Sequence, residues 1–106
     1  MGSDDTSDLE QTTAEVEAAL RESRARLAEA PVEVVLANHV LAFYELAAIH
    51  LSAQPANLGA AAIAIDAMSA VVHTLEGRLG DDEGTMRDAL QNIQFAFVQI
   101  KSAQGA

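Results

Sequence analysis

The sequence predicts an all-α protein of four helices: an antiparallel core of the second, third and fourth, preceded by an N-terminal amphipathic helical arm and completed by self-association. Three observations lead there. Apolar residues recur at helical spacing in four separate stretches. Pro31, Pro55 and Gly80 stand between the last three of them or at their edges, where such residues start or stop helices. The connections left over are only a few residues long, which favours antiparallel neighbours.

Residues 1–6 are polar and acidic with no apolar anchor, and are expected to be a disordered tail. The arm follows over residues 7–30. Ser7 with Glu10 three residues on makes a capping box, so the first helix is expected to start at Ser7. Onward to Glu29, Leu9, Val16, Leu20 and Leu27 take positions of a seven-residue repeat, with Thr13 and Ser23 filling the remaining seam. Glu17 with Arg21 and Glu22 with Arg26 are four apart in the favourable order. Such a helix either lies on a larger body or zips weakly against a copy of itself.

A core domain is expected over residues 31–102. Its first helix runs from Pro31 to between Ser52 and Gln54, and apolar residues scatter right around its wheel. Only a thin polar arc remains, where Asn38, Glu45 and Ser52 recur at seven-residue intervals. A helix this apolar needs neighbours on several sides, and self-association would supply one. Glu45 is expected at the surface, while the pattern leaves Asn38 open between surface and interior.

Asn57 is a good cap for a third helix, expected to end near Leu79 with Gly80 in the left-handed conformation. Its alanines, Ala60 to Ala62 with Ala64, Ala67 and Ala70, allow a neighbour to approach closely. Asp81, Asp82 and Glu83 then give a negatively charged start to a fourth helix ending near Ser102, with residues 103–106 as a second tail. Met86, Leu90, Ile93, Phe97 and Ile100 form its core stripe. Phe95 and Val98 fall outside that stripe, so either the first helix covers them or another chain does. With Val34, Leu41, Phe43 and Tyr44 of the central helix, they make up the candidate interface.

Composition narrows the function classes. The chain has 106 residues, no cysteine and a net charge of −10. One domain at most fits that length, and no disulfide framework, thiolate metal site or cysteine nucleophile is possible. The excess of acid is heaviest in residues 1–30, where eight acids meet three arginines. That field repels phosphate backbones and anionic lipid, which argues against direct nucleic-acid or membrane-surface binding; it either attracts a basic protein partner or, as the favoured reading, simply keeps a strongly apolar chain soluble. The acidic N-terminus lacks the basic start and apolar core of a signal peptide, so a cytoplasmic location is expected. Residues 31–53 are long enough to span a bilayer, but Glu33, Asn38, His39, Glu45 and His50 would each be costly at hydrocarbon depth.

Chemistry is hard to find in the chain. It has no glycine-rich phosphate loop, nucleophile elbow, His-Glu-x-x-His pair or calcium loop. His39 and His50 share a helix face but are separated by ~16 Å of helical rise, too far for one metal ion. A site assembled across helices from His50, Asp66 and His73 is the one weak metal or small-molecule candidate. Neither a resident cofactor nor a catalytic residue is expected, and the chain is read as a non-enzyme.

Several segments together resemble a known family: Pro31-Val32-Glu33-Val34-Val35, His50-Leu51 before a short linker, Asn57-Leu58 followed by Ala62 to Asp66, and above all Met86 to Phe97. They look like the actinobacterial branch of the bacterial family called domain of unknown function 1844, over about residues 29–100. The short connection after the central helix and the Phe43-Tyr44 pair depart from that pattern. The resemblance implies a small, cytosolic, all-helical protein with no assigned reaction. Because relatives are encoded near translation-initiation genes, it also raises the expectation of a translation-associated accessory protein. It carries over no catalytic residue.

Overall fold

The computed structural model describes the backbone of residues 2–105 and the side chains of residues 8–105. Four α-helices account for most of it: α1 (Gly2–Glu29), α2 (Val32–Ser52), α3 (Leu58–Thr74) and α4 (Glu83–Gly105), with a short 3-10 turn at Gly80–Asp82. Strands are absent among the described residues. The chain divides into two compact units, Met1–Val32 and Glu33–Ala106.

The first unit is essentially α1. This helix begins at Gly2 instead of at the expected Ser7, so the boundary drawn for a disordered tail over residues 1–6 moves. No proline or glycine stands between Ser3 and Glu29 to stop a helix, and acids near its N-terminus favour the positive end of the dipole. The capping box of Ser7 with Glu10 falls outside the described side chains. From Asp8 to Glu29 every side chain is exposed.

In the second unit, α2, α3 and α4 share one apolar core. Ala37, Val40, Ala47 and Leu51 of α2 meet Ala61, Ala64, Ile65, Met68 and Val72 of α3 and Met86, Leu90 and Ile93 of α4. The order is up, down, up. Ala62, Ile65 and Asp66 in the first half of α3 face Gln94, Phe97 and Val98 late in α4 across a groove, so these two helices are antiparallel. Glu33 at the start of α2 lies beside Gly80, just before α4, while Leu51 at its end lies near Ile100, so α2 runs parallel to α4. The backbones of α3 and α4 run close together over the longest stretch of the bundle, as small residues along α3 allow. Buried polar side chains are absent among the described residues, and no buried side-chain nitrogen or oxygen lacks a partner.

The caps explain the boundaries. Asn57 Oδ1 accepts from the Ala60 amide at 3.1 Å, as its type predicts, and fixes the start of α3. The end of α3 differs from expectation: the helix stops at Thr74, five residues before Leu79. The Arg78 amide donates to the Leu75 carbonyl at 2.8 Å, closing a turn whose third residue, Gly77, has φ +82°, a position that favours glycine. Gly80 does take a left-handed conformation, φ +77°, but there it opens the 3-10 turn and does not cap α3. Leu79 is buried as its hydrophobicity demands, yet it is held in the connection and not on α3. At the far end, α4 continues to Gly105, through most of the tail expected at 103–106.

By length and composition, α2 could cross a membrane. Within this fold one side of it packs into the core and the other is exposed. Its buried positions cluster on one arc of the wheel, and the opposite arc exposes Val34, Asn38, Leu41, Glu45, Ile49 and Ser52.

Candidate interaction surface

The best-built polar feature of the molecule lies in the connection between α3 and α4. Glu83, the first residue of α4, turns its carboxylate back over the preceding loop. Its Oε1 accepts from the amides of Gly77 at 2.8 Å and Leu79 at 3.0 Å, and Oε2 accepts from Gly77 at 3.0 Å. Arg87, one turn along, donates to Glu83 Oε2 at 2.8 Å and pairs with Glu76 Oε1 at 2.9 Å. These contacts hold the Glu83 carboxyl below the usual carboxylate range, through the Gly77 amide first and the Leu79 amide second; partial burial opposes them and Arg87 reinforces them. These five groups hold one another, so the cluster is a structural clasp on the loop before α4.

The three metal candidates are not brought together. Among the described residues, no group of three or more histidine, aspartate or glutamate side chains is placed to hold a metal ion. Asp66 lies in the α3–α4 groove beside Gln94, Phe97 and Val98, not in a cleft with His50 and His73 between α2 and α3. The physical reason is rotational: Asp66 and His73 sit on the outer edge of α3, whereas the arc of α3 that carries Ala61, Ala64 and Met68 is the one buried in the core.

What the molecule does display is apolar surface. Phe95 is 62% and Val98 58% exposed on α4, and Val34 and Leu41 are exposed on α2. Phe43 and Tyr44 are half-buried against the core, so they offer less of themselves to a partner than the other four. Leu46 and Ile49 on α2 and Ile63 on α3, the last 73% exposed, join the set, though the sequence did not mark them as interface. An α2 apolar on every side hides which of its apolar residues face outward, and Ile63 reads as a widening of the core face of α3. Asn38 and Glu45 both lie on the exposed arc of α2 within the single chain, between Val34, Leu41 and Ile49.

The α3–α4 groove is an apolar hollow on this surface. Ala62, Ile65, Phe97 and Val98 form its walls and Asp66 and Gln94 its polar rim, around a volume of about 230 Å³. Val98 links it to a second hollow bordered by Lys101, Ser102 and Gly105. No protein-family model, curated protein or solved structure matches the chain. The family resemblance therefore rests on the quoted segments alone.

Proposed function

We propose that the chain is a non-enzymatic, cytoplasmic helical interaction module that works as a homodimer and turns an acidic surface towards a basic protein partner. The observation that supports this best is the number of large apolar side chains that the second unit leaves outside a core already complete. Val34, Leu41, Leu46, Ile49, Ile63, Phe95 and Val98 are all exposed, and apolar surface concentrated on so small a unit is typical of protein–protein contacts. Aromatic side chains contribute most to such contacts, which singles out Phe95. A net charge of −10 keeps these faces soluble and gives the remaining surface an attraction for cations.

The test is Phe95→Asp in the full chain, followed by light scattering and circular dichroism. The expected result is a shift towards monomer with helicity and melting temperature nearly unchanged, because Phe95 lies outside the core cluster. An oligomer of unchanged mass and stability would remove this face from the interface.

A further inference from the structure

We propose that α1 is a pairing arm that docks antiparallel on α1 of a second copy of this chain. The proposal rests on the self-associating function above and adds to it an element and a direction. Leu9, Thr13, Val16, Leu20, Ser23 and Leu27 follow one another in alternating steps of four and three, the seam of a two-stranded coil. Leu9, Val16, Leu20 and Leu27 are all exposed, between 49% and 69%.

Charge chooses the occupant and its direction. From Asp8 to Glu17 the helix carries Asp8, Glu10, Glu15 and Glu17 and no basic residue, while Arg21, Arg24 and Arg26 all lie in its second half, with Glu22 and Glu29. A parallel partner copy would set acids beside the same acids. Its shoulder contacts would be Thr12 with Glu17 and Ala19 with Arg24, none of opposite charge. An antiparallel copy reverses this. The seam then places Leu9 opposite Leu27 of the second copy, Val16 opposite Leu20 and Thr13 opposite Ser23, so apolar layers meet apolar ones and hydroxyl meets hydroxyl. In the same register Glu10 lies beside Arg24 of the second copy, twice over by two-fold symmetry, and Glu17 is the one charged shoulder residue that meets its own counterpart at the axis. The arm is thus self-complementary in one direction only, and its partner is a second copy of itself.

The chain lacks cysteine, so introduced ones report the pairing directly. Full-length Leu9→Cys and Leu27→Cys proteins are mixed and equilibrated in a glutathione redox buffer, and the disulfide-linked products are separated by mass after proteolysis. Antiparallel arms hold the two Leu9 positions ~27 Å apart. The mixed 9–27 disulfide is then expected to exceed the two symmetric disulfides together by about ten-fold, through its higher effective concentration. A majority of symmetric disulfides would mean parallel arms, and as much symmetric as mixed product, or none of either, would mean unpaired arms. Each of these overturns the proposal. A charge swap adds a second readout: Glu10→Arg should weaken the mixed product and Glu10→Arg with Arg24→Glu should restore it. Light scattering on the unaltered chain separates the two levels of inference. A dimer with chance disulfides removes the arm pairing alone, whereas a monomer at every concentration removes self-association as well.

Discussion

Glu83 carries the clearest chemistry in the molecule, and that chemistry is structural. Its carboxylate replaces water for the amides of Gly77 and Leu79 while Arg87 holds it in place. Because its folded pKa is lowered, its contribution to stability is fully present above the ordinary carboxylate value and is lost as pH falls through the lowered one. Glu83→Gln should therefore lower the melting temperature at neutral pH, and the gap between the two proteins should close as the pH is taken down towards 3. A gap that stays constant over that titration would show that the carboxylate charge does not hold the loop. In the sequence, Glu83 reads only as one of three acids at a helix start. Its reach back over six residues to Gly77 depends on the glycine's positive φ and on the early end of α3, neither of which a local pattern reveals.

Among the elements, α3 and α4 were readable from their spacing: the Asn57 cap and the stripe from Met86 to Ile100 both fall where periodicity placed them. The end of α3 was not, because a helical apolar pattern continues through Leu75 to Leu79 although the backbone leaves the helix at Thr74. Leu79 is buried either way, so its hydrophobicity cannot distinguish a helical position from a loop position folded back on the core. α2 posed the opposite problem, since its apolar letters surround the wheel and only the structure shows that Ala37, Val40, Ala47 and Leu51 mark its inner side. The alanines of α3 make a sharper prediction. Ala61 is completely enclosed, so Ala61→Leu has no room to expand and should cost about 1–3 kcal/mol by urea unfolding. The same change at Ala70, which is exposed, should be close to neutral. Equal effects at the two positions would contradict the packing described for α3.

At the scale of the whole molecule, two units each present apolar side chains to solvent: the seam of α1 in one, and the outer faces of α2, α3 and α4 in the other. On α2 the all-round hydrophobicity leaves Val34, Leu41, Leu46 and Ile49 exposed outside the core. The exposed apolar surface was legible only in outline, because Phe95 and Val98 break the core stripe of α4 visibly, while Leu46, Ile49 and Ile63 blend into apolar runs. The metal candidates on α2 and α3 needed to converge, and among the described residues Asp66 instead lies beside Gln94 and Val98, with no cluster of three ligating side chains.

The most direct measurement is size-exclusion chromatography with multi-angle light scattering on the full-length chain over a wide concentration range. The proposed function expects a mass twice that of the 11.1 kDa chain, persisting on dilution. A mass of one chain at every concentration would contradict self-association and leave the exposed faces of α1, α2 and α4 to a different protein.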